Sequence, residues 1–303
     1  MVTQVTGGPV LERLLLDADP PRLEEATAIE GAALAARRPE GEPVAGFAAF
    51  LDGIQASRVL AHWEGGVPVV HGSVAAVVRV RARRRLTTWP GAPLVSRALY
   101  LPEALASPSL VVALRAQGVE LVDTLDGEAP RGPRHPLELV ALARTAVQRR
   151  RESLEVALAE AWCSREGAPL FVDGGISGAG RAARHPLAIG IVKSHRTLYA
   201  TSETLGVVTA LAAGERTTAF AVSSPRRVAV ASWYLRLREP AGDPFFGLVR
   251  VEAALEGFDA ARADLISRWV LAERAPLALP DPRWSTMAYG IRDCEEYLRA
   301  TAG

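Results

Sequence analysis

The strongest periodicity in this chain is helical. Between residues 137 and 162, Leu137, Val140, Ala143, Val147, Leu154 and Leu158 recur at helical spacing, and no proline interrupts them. On such a helix Arg149 and Glu152 face solvent, while Glu155 falls at the edge of the apolar stripe, where it can reach a neighbouring sheet. Shorter helices are predicted over 107–117, 205–213, 260–275 and 289–300. Residues 1–45 read as a helical arm: Leu11, Leu14, Leu15 and then Leu23, Ala26 and Ile29 keep helical spacing around a break at Pro20-Pro21, and a turn-rich link follows at 39–43.

Strand patterns begin after that link. Residues 46–55 are nearly all apolar until Asp52. Residues 67–85 read as two strands or a bent hairpin, and the run Val78-Arg79-Val80-Arg81-Ala82-Arg83 alternates with one basic face. The stretch after Leu86 is poorly patterned and carries Pro90, Pro93 and Pro102. Further strands are predicted at 119–122, 170–173, 187–193 (with 198–201 as a prolongation), 227–238 and 247–254, with a loop at 126–136. Strands interleaved with helices predict an α/β layered domain over 46–303, built on a mixed sheet flanked by helices, with the helical arm at 1–45 preceding it.

Composition narrows the picture only slightly. The 303 residues are 49% hydrophobic, enough to bury a sizeable core. The net charge is +1, so any nucleic-acid surface has to come from local clusters such as Arg79 to Arg85. Cys163 and Cys294 are the only cysteines, which argues against a disulfide framework and makes a reducing cytoplasm the expected location. No signal peptide is apparent, and the longest apolar runs fall short of a membrane span. Lys193 is the only lysine; the other 34 basic residues are arginine, and asparagine is absent. A lysine standing against that bias points mildly to a role that arginine does not fill.

Four constellations could carry chemistry. Phe50-Leu51-Asp52-Gly53 and Leu170-Phe171-Val172-Asp173-Gly174-Gly175 each deliver an aspartate at the end of an apolar strand, with a glycine that lets the backbone turn away. Two such carboxylates would repel unless a cation lay between them, and a hard divalent ion, Mn²⁺ or Mg²⁺, suits oxygen ligands. Asp-Gly also marks ordinary turns. Gly190-Ile191-Val192-Lys193-Ser194-His195 ends a strand in the only lysine, whose ammonium can hold a phosphate oxygen or sit at a surface strand end. Ser232-Trp233-Tyr234-Leu235-Arg236-Leu237 and Val249-Arg250-Val251-Glu252 read as antiparallel neighbours with an exposed charged face.

Two other motifs fail on context. Gly178-Ala179-Gly180-Arg181-Ala182-Ala183 matches a dinucleotide fingerprint, but Pro186 cuts short the long helix that it requires. Gly175-Ile176-Ser177-Gly178-Ala179 loosely resembles a nucleophile elbow, but it lacks the final glycine and the same helix. The five histidines show no metal-ligand spacing.

Taken in order over about residues 46 to 300, these elements resemble the NurA nuclease family. The sequence runs from an Asp-Gly strand to a helical glutamate, a second Asp-Gly strand and a Gly-x-x-Lys strand. An aromatic-rich strand, an Arg-Val-Glu strand and a C-terminal helix with a metal ligand complete it. The resemblance implies a ribonuclease-H-like fold and a metal-dependent DNA nuclease that hydrolyses phosphodiesters by a two-metal mechanism with Mn²⁺ or Mg²⁺, in DNA end processing or repair. Asp52 and Asp173 match the family's metal-binding aspartates, Glu155 the helical glutamate (with Glu152 as rival), and Lys193 the lysine facing the scissile phosphate. The family's C-terminal histidine after Tyr-Pro has no match: Tyr289-Gly290-Ile291-Arg292-Asp293 stands there, and Asp293 is the inferred substitute. Ile54 stands where the family commonly has serine. The resemblance further implies DNA as substrate, a homodimer and a HerA-type hexameric ATPase partner, which the N-terminal arm could contact. It also leaves room for an alternative, a non-catalytic DNA- or ATPase-binding subunit on the same fold.

Overall fold

The computed structural model describes residues 20–25, 27–83, 85–125, 134–225, 227–274 and 283–302, apart from the side chains of Glu64 and Trp284. The chain opens with three short strands, β1 (Arg22–Glu24), β2 (Thr27–Ala28) and β3 (Ala36–Arg37). Two long strands follow, β4 (Ala49–Trp63) and β5 (Val67–Ala82), and then β6 (Arg85–Thr88) and β7 (Leu94–Leu101). Helix α1 (Pro108–Ala116), strand β8 (Glu120–Asp123) and the long helix α2 (Pro136–Arg165) come next. The remaining elements are β9 (Leu170–Asp173), β10 (Ala188–Val192), β11 (Thr197–Tyr199), α3 (Leu205–Thr209), β12 (Arg216–Thr217), β13 (Phe220–Val222), β14 (Val230–Arg236), β15 (Leu248–Ala254), α4 (Ala260–Glu273) and α5 (Tyr289–Thr301). The protein is a mixed α/β structure. No helix among the described residues is long and apolar enough to cross a membrane.

The chain divides into two units. The first comprises residues 1–51, 79–87 and 159–293. Its sheet has the order β2-β13-β14-β15-β10-β9-β4. Strands β4, β9 and β10 run parallel to one another, and β15, β14 and β13 continue antiparallel. Helix α4 packs on this sheet through Trp233, whose indole N–H donates to Ser267 Oγ at 2.9 Å, and through Trp269, whose ring lies edge-on to Phe47 at 5.8 Å. Gly46 makes that approach possible, because a Cβ there would lie 2.2 Å from the Trp269 ring.

The second unit comprises residues 52–78, 88–158 and 294–303. Here β5 pairs antiparallel with β7, and β7 pairs parallel with β8. Alternation puts Val70, Val74, Ala98 and Tyr100 on one face, where Ala143 and Val147 of α2 cover them. Val69, Leu99 and Leu101 cluster with Leu110 and Val111 of α1. Ser107 caps α1 by accepting the Leu110 N–H at 3.3 Å.

Several expectations need correction. The described part of the N-terminal arm is not helical: β1 pairs with β11, β2 with β13 and β3 with β12. The apolar spacing of Leu23 and Ile29 is therefore not a helical face, and the arm's earlier residues lie outside the described ones. Residues 67–82 form one strand rather than two. The poorly patterned stretch holds β7, whose second half lacks alternation because Ala98, Leu99, Tyr100 and Leu101 are all buried. Residues 198–201 do not prolong β10; β11 forms a separate two-stranded sheet with β1. Leu137, assigned to the apolar stripe of α2, is 71% exposed.

Candidate active site

In the first unit, β9 buries Leu170, Phe171 and Val172 between β4 and β10 and brings Asp173 out at its tip. The backbone then turns at Gly174, whose φ of 127° suits glycine, and the Gly174 N–H donates to Ile191 O at 3.0 Å. Gly190 on β10 is required by close approach: a Cβ there would lie 2.7 Å from the Gly174 carbonyl oxygen. Beyond the end of β10, the Lys193 ammonium donates to Asp173 Oδ2 at 2.8 Å, both side chains being about four-fifths buried. The lone lysine and the second Asp-Gly motif thus meet.

A residue expected on an exposed strand face holds the loop after Asp173 instead. Glu252 on β15 is 2% exposed and lies opposite Gly190 in register. Its Oε2 accepts the Ile176 N–H at 2.8 Å and the Ser177 N–H at 3.4 Å, while Oε1 accepts from Arg250 Nη1 at 2.7 Å. Arg250 also donates to Ser232 Oγ at 3.1 Å, and that hydroxyl donates to Val251 O at 2.8 Å. The face expected to be charged and exposed is therefore buried, covered by the loop after Asp173, which reaches Glu252, and by the Tyr199 ring, which lies against Arg250. The available signal was the match of Ser232 with Arg250 and Glu252 at alternating positions of two adjacent strands.

Asp293 lies in the second turn of α5. Gly290 starts that helix flat against the Phe50 ring, where a Cβ would lie 2.3 Å from ring carbons. Arg79 Nε donates to Asp293 Oδ1 at 2.5 Å, and Arg79 Nη2 donates to Leu86 O at 2.9 Å. Arg81 is a bidentate partner of Glu273 at 2.7 and 2.6 Å, and this pairing raises its pKa. Two arginines of the expected basic strand face are therefore committed inside the unit, leaving Arg83 and Arg85 exposed.

In the second unit, Asp52 is 5% exposed, and its Oδ1 accepts the Gly53 N–H at 2.8 Å. Gly53 does not turn the chain, since β4 runs on to Trp63. It clears space instead: a Cβ at Gly53 would lie 2.4 Å from Glu155 Oε1 and 3.1 Å from the Ala75 carbonyl oxygen. Glu155 is buried and paired with Arg151 one turn away on α2. Its rival Glu152 is exposed and accepts from Gln148 at 2.9 Å.

The donor chemistry suits a hard divalent ion, because the candidates are all carboxylates. Lys193 sits on Asp173, Arg79 on Asp293 and Arg151 on Glu155, so an ion would have to exchange with these bases. Among the described residues, no three His, Cys, Asp or Glu side chains form a group that could hold a metal ion.

No family model matches the chain, and no curated protein sequence matches it. Among solved structures it is similar to the NurA nuclease from Sulfolobus solfataricus, at 10% identity and a TM-score of 0.45, over 91% of this chain and 86% of that one. That likeness is too distant to place the chain in a family.

Proposed function

We propose that the protein is a DNA nuclease of the NurA type, on a ribonuclease-H-like arrangement of strands, that hydrolyses phosphodiesters with the help of Mn²⁺ or Mg²⁺. The observation that carries this reading is the Asp173–Lys193 pair at the tips of adjacent parallel strands, on a loop that Glu252 clamps. The order of the sequence motifs supports it. So does the register of β4 against β9: Leu51 pairs with Val172, and an aspartate follows each of them in sequence.

In this reading Asp52 and Glu155 of the second unit, and Asp173 and Asp293 of the first, are the carboxylates that the resemblance assigns to a pair of divalent ions, with Asp293 in place of a histidine, and Arg151, Lys193 and Arg79 would have to give way before an ion could bind. When bound, the ion would polarise the scissile phosphate and make water a competent nucleophile at neutral pH. The chain's own groups do the rest. Lys193 offsets negative charge on a non-bridging phosphate oxygen. Glu252 keeps the Asp173 loop from drifting, so that the carboxylate need not be reoriented at the moment of reaction. Arg83 and Arg85 contribute the electrostatic, salt-sensitive part of DNA binding. A homodimer, a HerA-type hexameric ATPase partner and a cytoplasmic location belong to the same proposal. The N-terminal residues are the partner contact, and the clean test is deletion of residues 1–19, which spares Glu30 and its ion pairs. Unchanged oligomer mass and ATPase binding would remove that contact.

The activity is tested with purified protein, single- and double-stranded DNA, and Mn²⁺, Mg²⁺ or EDTA. Cleavage should need the divalent ion. It should fall at least about a hundredfold in Asp52→Asn, Asp173→Asn and Lys193→Met, in line with the loss of a charge-stabilising group at a reacting centre. A second reading, a DNA- or ATPase-binding subunit without catalysis, is favoured by the 2.5 Å Arg79–Asp293 pair, which occupies the inferred C-terminal ligand. Metal-independent binding without cleavage, with and without an ATPase partner, would select it.

A further inference from the structure

The first unit contains a cavity of about 330 Å³ that neither Asp173 nor Lys193 lines. Side chains alternate along an extended chain, so Val192 and Ser194 turn into this cavity while Lys193 turns toward Asp173 on the other face. Four arginines from separate segments line it: Arg22 of β1, Arg196 just before β11, Arg227 just before β14 and Arg250 of β15. The one carboxylate in the lining, Glu252, is already engaged by Arg250 and two backbone N–H groups.

Two of these cations are available to a ligand. Arg22 pairs with Glu24 at 2.8 Å, but both side chains are exposed, and a surface pair of that kind is worth little. Arg227 donates only weakly to the Ser177 hydroxyl at 3.4 Å, and no carboxylate among the described residues is ion-paired with it. Arg250 is pre-oriented: its guanidinium lies over the Tyr199 ring, 5.1 Å from the centroid. Planar guanidinium groups converging on one cavity match a phosphate better than a point charge would. Val192, Val222 and Val228 supply an apolar wall beside them. The volume is at the lower end of small-ligand pockets.

We propose that this cavity binds a small phosphate ester of mononucleotide size, its phosphate gripped by Arg22, Arg227 and Arg250 and its apolar part resting on the valine wall. The site goes beyond the nuclease reading, since it lies on the opposite face from Asp173 and Lys193. Calorimetric titration of the full chain with dAMP, ribose 5-phosphate, inorganic phosphate and adenosine tests it. One-to-one saturable binding of dAMP is expected, with weaker binding of the other two phosphates and none of adenosine. The double variant Arg22→Gln/Arg227→Gln, whose exposed positions should leave the melting temperature unchanged, should bind dAMP about tenfold more weakly or worse. Asp173→Asn should bind it as the wild type does. The proposal is overturned if dAMP does not saturate, if adenosine or inorganic phosphate binds as tightly, or if the double variant binds normally. Loss of binding in Asp173→Asn would move the ligand to the nuclease site and overturn it as well.

Discussion

The two units solve the problem of a core with different materials. The first buries charge. Arg216 and Arg236 are completely inaccessible, and Glu252, Asp264 and Glu273 are nearly so. Arg236 and Glu252 secure loops that have no regular pairing of their own, while Arg216, Asp264 and Glu273 tie strands to helix α4. Arg236 donates to the carbonyls of Phe246 at 2.6 Å, Thr209 at 2.9 Å, Pro244 at 3.0 Å and Leu211 at 3.2 Å, pinning two loops at once. Arg216 holds Asp264 of α4 at 2.6 Å and Glu30 of the bend between β2 and β3 at 2.7 Å. The second unit is built from interdigitating apolar side chains of β5, β7, α1 and α2. Its buried acids among the described residues are Asp52, Glu155 and Glu295, the last paired with Arg299. Two of these three are candidate metal ligands. Charge is buried in the first unit to fix loops and helix α4, and in the second mainly where chemistry is proposed.

That contrast breaks most readily at Glu30. Its carboxylate accepts from both terminal nitrogens of Arg216, from Arg37 Nη1 at 2.5 Å and from the Ala219 N–H at 2.9 Å. Glu30→Ala would leave a buried guanidinium underpaired, at a cost of about 3–5 kcal/mol in urea unfolding. A cost below about 1 kcal/mol would mean that the charged core is dispensable and the comparison empty. The pH dependence carries the same signature. Burial alone would raise the Glu30 pKa, but Arg216's hydrogen bond and charge, the Ala219 amide and Arg37 outweigh it, leaving the group below 4.5. The pair's stabilisation is therefore full above the unfolded value and is lost as pH falls through the lowered one. Glu30→Ala should flatten that acid limb.

His195 sharpens the comparison from the opposite direction, as a buried group of the first unit that must stay neutral. It is 2% exposed and stacked on Phe245 at 5.1 Å, and one ring nitrogen pairs with Leu248 O at 3.0 Å. Burial pushes its pKa down to about 4; the Leu248 bond opposes that shift, and the charges of Arg250 and Arg236 add to it. The unfolded chain takes up this proton near pH 6.5, so stability should fall as pH drops from about 6.5 to about 4. The loss is roughly 3 kcal/mol, at about 1.4 kcal/mol per unit. His195→Leu should show a shallower decline over that window. An identical slope would place the pH sensitivity elsewhere.

The contrast also explains what the amino-acid pattern could convey. Helix α2 was legible because one side packs and the other is wet. Asp173 and Lys193 were legible because an apolar strand ending in a charged residue is a local signal, and in this chain lysine is rare. Residues of the doubly covered sheets were not. In the second half of β7, Ala98 to Leu101, both faces are buried and alternation vanishes, while in β15 Arg250 and Glu252 alternate as surface residues do, although the loop after Asp173 and the Tyr199 ring cover them. Gly53 read as a turn, since nothing local distinguishes a glycine that bends the chain from one that makes room for Glu155 to approach. In the N-terminal segment, Leu23 and Ile29 kept helical spacing by coincidence, and pairing with β11 and β13 overrode it.

The smallest effect tests the apolar unit on its own terms. Gly72 of β5 lies beneath α2, and a Cβ there would sit 2.5 Å from Tyr100 Cε2 and 2.6 Å from Val147 Cγ2. Both atoms belong to well-packed, nearly inaccessible side chains. Gly72→Ala should therefore destabilise by about 1–3 kcal/mol, despite alanine's better strand entropy, because a ring and a methyl must move together. Val147→Ala in the same chain removes one of the two clashing groups and should recover part of that loss, which is the sign of steric coupling rather than of two independent defects. The pair would show no such recovery if the core simply expanded around the new methyl. In that case the second unit would be loosely packed, and its contrast with the hydrogen-bonded interior of the first would lie in rigidity as well as in chemistry.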